Sequence, residues 1–153
     1  MASGPPSWPA TEIVARFADQ SLTPSAFLEA CLARISAINP RINALTAFDS
    51  ESAVTQAAQS TRRWREGKPI GLLDGLPIGV KDLQDTANLL TTHGSPRARG
   101  HLPTRDMPMV ARLRAAGAIV LAKTNVPELG AGGNTRNPVW GATGNPFDPR
   151  LTA

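Results

Sequence analysis

The feature that most constrains this chain is a helical repeat that runs directly into an apolar strand. From Asp106 to Ala116, the residues Met109, Val110 and Leu113 recur at helical spacing. Gly117 ends the repeat, and Ala118-Ile119-Val120-Leu121-Ala122 follows without a polar residue. A strand that is apolar at every position has to be covered on both faces, which is the situation of a strand inside an α/β sheet. A second strand is expected at Ile78 to Val80, short and buried. It lies within a stretch from Ile70 to Lys81 that is dense in Gly, Pro and branched apolar residues and has no helical period. The fold class read from these two segments is α/β.

The residues before them are expected to be helical. Ile13, Val14 and Phe17 place a short amphipathic helix over Thr11 to Asp19. Thr23 followed by Pro24 reads as an N-cap with proline in the first turn, ahead of Phe27, Leu28, Cys31, Leu32, Ile35 and Ile38 at three- and four-residue intervals. That helix should stop near Asn39, because Pro40 disfavours helical geometry in the residue before it. A Leu45 to Phe48 segment leads to a third helix over Ser50 to Glu66, with Val54, Ala57, Ala58 and Trp64 expected inward and Gly67 as the stop. One domain is expected over 1–153, with 1–67 mainly helical and 68–153 forming the α/β portion. From Asn125 onward Gly and Pro return every few residues, which reads as one long loop. A loop of that length inside a compact domain is functional or is separated from the partners that order it.

Composition excludes several classes. No apolar run approaches the roughly 20 residues of a membrane span, and Met1 to Pro9 lack the basic-then-apolar order of a secretory signal. The one cysteine, Cys31, reads as a small core residue, in keeping with a cytoplasmic setting. The net charge is +4, but the densest basic cluster, Arg62, Arg63 and Arg65, reads as a solvated helix face. With 4 Phe, 3 Trp and no Tyr there is little to stack on bases, so a nucleic-acid partner is not expected. His93 and His101 have no cysteine or carboxylate at ligand spacing in the sequence, and no metal site is expected.

Lys81 is the candidate for chemistry. A lysine directly behind a buried apolar strand stands where desolvation favours the neutral amine, which can act as a base. Spacing alone favours the other reading, a solvated lysine at a strand end paired with a neighbour. The wider pattern changes the weight: Gly75-Leu76-Pro77-Ile78-Gly79-Val80-Lys81-Asp82 resembles the G-x-P-x-x-V-K-D block of the amidase-signature enzymes. Leu113-Arg114-Ala115-Ala116-Gly117-Ala118 and Ala122-Lys123-Thr124-Asn125-Val126-Pro127-Glu128 are similar to that family's next two segments, in the same order. Asn137-Pro138-Val139-Trp140-Gly141 and Asn145-Pro146-Phe147-Asp148-Pro149 resemble the approach to its signature.

The resemblance implies a mixed-sheet α/β/α fold, incomplete in this chain, and hydrolysis of a small-molecule carboxamide to a carboxylic acid and ammonia without cofactor. It implies a Ser, cis-Ser, Lys triad in which Lys81 is the lysine. It places Gly130 and Gly132 in the segment that lines the acyl side of the pocket. Lys123 matches a second family lysine, with a packing or hydrogen-bonding role, and Asp82 is expected to be structural. The Gly-Gly-Ser-Ser-Gly-Gly run that carries the bridging serine should begin near Leu151-Thr152-Ala153, so neither catalytic serine lies in these residues. Ser50, Ser60 and Ser95 match neither position. Three expectations follow: a family amidase whose present chain is inactive alone, a non-catalytic fragment that associates through an unpaired strand edge as a homo-oligomer, or a transamidase-type subunit that works on aminoacyl-tRNA.

Overall fold

The computed structural model describes residues 7–153. Three helices come first: α1 (Ala10–Ala18), α2 (Pro24–Ile42) and, after the strand β1 (Leu45–Phe48), α3 (Ser50–Arg65). Then follow β2 (Pro77–Lys81), α4 (Pro108–Ala115), β3 (Ile119–Thr124) and a small hairpin of β4 (Arg136–Asn137) and β5 (Gly141–Ala142). The main sheet has the order β1-β3-β2, with β1 antiparallel and β2 parallel to the central β3. It is therefore a mixed sheet. Helices cover both of its faces: Leu28 of α2 and Ala53 and Ala57 of α3 pack on Ile119, Leu121 and Ala122, while Val110 of α4 packs on Val80 and Val120.

The chemistry of each element is local where a cap or an apolar run sets it. The Thr23 side chain accepts from the Ala26 N–H at 3.2 Å and Pro24 fills the first turn of α2, so the expected start is the observed one. Gly67 ends α3 with φ +67, and the Lys68 N–H closes back on the Arg63 carbonyl at 2.9 Å. The run from Ala118 to Ala122 is buried throughout, and the strand continues through Lys123 to Thr124.

Four expectations fail for identifiable reasons. Helix α2 does not stop near Asn39 but runs to Ile42 with Pro40 inside it. The proline forfeits one backbone rung, and the Asn39 side chain braces the end: its Oδ1 accepts from the Ala44 and Leu45 N–H groups at 3.0 and 2.8 Å. Val54 and Ala58 of α3 face solvent, and the inward stripe is Ala53, Ala57, Ser60 and Thr61. Asp49 sets that rotation, because its N–H bonds the Leu121 carbonyl at 3.0 Å and its side chain caps α3. Strand β2 lies at an edge of the sheet, and only Val80 in it is buried. Arg63 leaves the solvated cluster to form a fork with the fully buried Asp74, at 2.9 Å and 2.5 Å.

The stretch from Asn125 onward is held by asparagines. Asn125 Nδ2 donates to Thr143 Oγ1 at 3.0 Å, and its Oδ1 accepts from Asn137 Nδ2 at 2.7 Å. Asn137 Oδ1 accepts from the Val139 and Trp140 N–H groups at 2.9 and 2.7 Å, and Asn43 Nδ2 donates to the Trp140 carbonyl at 2.7 Å. Apart from the short β4–β5 pairing, these bonds supply partners for backbone groups that no ladder reaches.

Candidate active site

The site lies at the carboxyl ends of the two parallel strands, where open α/β sheets place their ligands. Val80 pairs with Lys123 and Lys81 with Thr124, and the Asp82 N–H continues the ladder to the Thr124 carbonyl at 3.0 Å. Successive strand residues face opposite sides. A bulge at Leu121, between the pairs Ile78–Val120 and Gly79–Ala122, shifts that alternation. It puts Lys123 on the same face as Val80 and Val120, and Lys81 on the other face with Gly79 and Ala122.

The two lysines therefore have opposite surroundings. Lys81 is exposed at the end of β2. The desolvation expected at Lys81 falls on Lys123, which is fully buried. Lys123 Nζ donates to the Gln84 carbonyl and, at 2.9 Å, to Thr86 Oγ1. Burial lowers its pKa from 10.5 to about 8, against the pull of the Asp82, Asp85 and Asp106 carboxylates. The hydrogen-bonding role expected for Lys123 is the observed one. Its burial was not readable, because the bulge that turns it inward leaves no local mark.

Asp82 points away from Lys81 into the interior, as its structural reading required. One carboxylate oxygen accepts from the Thr92 N–H at 2.8 Å, and the other from Thr92 Oγ1 at 2.6 Å and Trp140 Nε1 at 3.1 Å. This one side chain ties two loops, those of Thr92 and Trp140, to the end of β2. Glu128 accepts from Ser95 Oγ at 2.9 Å, which gives that serine a bracing contact. Gly130 has φ +75 and Gly132 φ +134, and a side chain at Gly130 would meet Leu83 Cδ1 at 2.7 Å. A cleft of about 600 Å³ is lined by Glu128, Arg136, Asn137, Pro138, Gly141, Ala142 and Thr152, and neither glycine is among these residues.

His93 and His101 do have a carboxylate partner, contrary to expectation. The fold brings Asp85 to 3.1 Å from His101 Nε2 and 3.8 Å from His93 Nε2. No helix among the described residues is long and apolar enough to cross a membrane.

A mixed sheet between helical layers, with a lysine at its strand ends, describes part of an α/β domain. The family model described as Amidase matches residues 26–153, and the chain belongs to that family. It is 40% identical over 138 residues to an acylamidase of Rhodococcus erythropolis, a match covering 90% of this chain and 29% of that protein. It is 38% identical over 139 residues to a glutamyl-tRNA(Gln) amidotransferase subunit of Streptomyces coelicolor, covering 91% of this chain and 28% of that protein. A solved crystal structure of an amidase superposes with a TM-score of 0.87 at 36% identity, over 95% of this chain and 33% of its own. The chain thus spans less than a third of the length of the relatives it matches.

Proposed function

We propose that this chain is the lysine-bearing segment of an amidase that hydrolyses small carboxamides to a carboxylic acid and ammonia. Lys81 is the base. A serine outside these residues attacks the amide carbonyl, and its proton passes through a bridging serine to the Lys81 amine. A C–O bond forms, the C–N bond breaks, and ammonia leaves with the returned proton. Water then releases the acid from the acyl-enzyme. Gly130 and Gly132 let the backbone approach the acyl group. The observation that carries this reading is the division of labour at the end of β2: Asp82 is anchored inward, and the neighbouring Lys81 is left accessible.

By this reading the 153-residue chain is inactive alone, uses no cofactor and acts in the cytoplasm. The edge of β2 and the exposed Ile70, Leu72 and Phe147 favour self-association of the isolated chain. A second reading, a transamidase-type subunit that works on aminoacyl-tRNA, is supported by the likeness to the Streptomyces coelicolor protein. The test is labelling by a serine-directed fluorophosphonate, read by intact mass, of this chain and of one extended through the following Gly/Ser-rich region. The expected result is an adduct on the extended chain alone, lost in Lys81→Ala. Labelling of the short chain overturns the assignment. Ammonia release from simple carboxamides separates the amidase from a subunit that needs companion subunits and charged tRNA.

A further inference from the structure

We propose that Asp85, His93 and His101 form a binding site for one divalent transition-metal ion of the zinc class. The chain has 2 histidines, and the fold brings both to one carboxylate. Their candidate ligand atoms all lie within 4.8 Å of one another. The two rings stack with centroids 5.9 Å apart and planes 24° from parallel, which turns both Nε2 atoms toward Asp85. Around a tetrahedral zinc with bonds of about 2.0–2.2 Å, ligand atoms stand about 3.3–3.5 Å apart. The two imidazole-to-carboxylate distances, 3.1 and 3.8 Å, bracket that separation. Small rotations of partly exposed side chains close the set.

The backbone beneath each ligand is fixed independently of the others. His93 has φ +53, a conformation that non-glycine residues seldom hold unless their surroundings impose it. Its carbonyl accepts from the Leu129 N–H at 2.7 Å, and the preceding Thr92 is held at both its N–H and its hydroxyl by Asp82. The His101 N–H bonds the Ala98 carbonyl at 2.9 Å, and its own carbonyl takes the Thr91 N–H at 3.0 Å. The Asp85 carbonyl accepts from Met107 at 2.9 Å. Two imidazoles and a carboxylate form a donor set suited to zinc, with a fourth position left to water. The bound ion pins the loop between β2 and α4, and through Thr92 it steadies the Asp82 anchor beside Lys81.

The test is calorimetric titration of the untagged 153-residue chain, stripped with chelator, with zinc chloride. The expected result is saturation at one zinc per chain and a higher thermal midpoint with zinc present. His101→Gln and Asp85→Asn lose both effects while their circular dichroism stays that of the parent. His101 is solvent-facing, and the side-chain contacts it would lose are the bond to Asp85 and the stack on His93, so this variant decides the matter even if His93→Asn fails to fold. Cobalt supplies an independent reading, a visible absorption band in the parent that His101→Gln lacks. Uptake without saturation in the parent, or saturable binding retained in His101→Gln, overturns the site and leaves a plain Asp–His contact.

Discussion

The stability of this chain should depend on alkaline pH through a buried lysine and a half-buried thiol that act in opposite directions. Lys123 holds its proton less tightly in the fold than outside it, with its pKa lowered by burial from 10.5 to about 8. Cys31 does the reverse, because burial raises its thiol from 9.0 to about 11. Between pH 8 and 10.5 the unfolded chain binds a proton at Lys123 that the folded chain has released, so raising the pH favours the fold by about 1.4 kcal/mol per unit. Over that whole window the Lys123 contribution is roughly 3 kcal/mol. Between pH 9 and 11 the folded chain keeps the Cys31 proton that the unfolded chain loses, and stability falls, at a shallower slope because solvent reaches and screens the half-buried thiol. The two together give a rise of about 1.4 kcal/mol from pH 8 to 9 and a gentler rise from there to 10.5.

The assay is urea unfolding at half-unit pH steps on the parent, Lys123→Met and Cys31→Ser. Differences between variants cancel every other titrating group, and the chain has no tyrosine to complicate the range. Relative to the parent, Lys123→Met loses the rise between pH 8 and 9, whatever its absolute stability. Cys31→Ser keeps rising beyond pH 9 toward 10.5. A Lys123→Met curve with the parental rise would refute the desolvation argument. Parallel parent and Cys31→Ser curves would refute the thiol argument alone.

Two further outcomes follow from packing. Arg63→Ala leaves the Asp74 carboxylate, 0% exposed, without its guanidinium, and should cost about 3–5 kcal/mol in urea unfolding at neutral pH. Burial works to raise the Asp74 carboxyl, but Arg63 and the Ile70 N–H hold it below its ordinary 3.8; that stability is present above pH 3.8 and lost as pH falls through the lowered value, and Arg63→Ala should flatten this acid limb. Gly67→Ala and Gly117→Ala both impose a left-handed backbone, a strain of about 1–2 kcal/mol. Only Gly117→Ala also drives a methyl to 2.5 Å from the Asp74 Cα, so its melting temperature should drop further than that of Gly67→Ala, which meets no atom within 4 Å.

What could be read from the sequence was what neighbours in the chain decide. The Thr23–Pro24 start of α2, the Gly67 stop and the apolar β3 each depend on a cap, a turn or a run of side chains a few residues long. The family blocks pointed to the strand ends that the structure brings together. Most of the failures involve contacts between distant parts of the chain, and the run of α2 past Pro40 depends on a side chain whose partners lie five and six residues on. The rotation of α3 is set by a bond from Asp49 to β3, and the survival of α2 past Pro40 by a side chain that reaches forward to Leu45. Lys123 is buried by a bulge in β3, and His93 meets His101 through a loop fold that no spacing rule encodes. The long loop read as structureless is ordered by Asn125, Asn137 and Asn43, amides that in sequence look like ordinary turn residues.

Adjacent residues at the end of β2 perform opposed tasks because strand residues alternate sides. In the proposed role of Lys81, a base has to be reachable by substrate and also held in place, and a flexible lysine stem supplies no fixed position by itself. Here the fixing is done one residue later. The Asp82 N–H extends the ladder to Thr124, and its carboxylate gathers Thr92 and Trp140, so the peptide unit that carries Lys81 into the turn is locked from both its backbone and the next side chain. Trp140 is positioned in turn by Asn137 and Asn43, which join the end of α2 to the same turn. Geometry at Lys81 is thus determined by contacts from distant parts of the chain, while the amine itself touches none of them. On the role proposed for Lys81, this arrangement keeps its side chain accessible while the backbone beside it is held through Asp82.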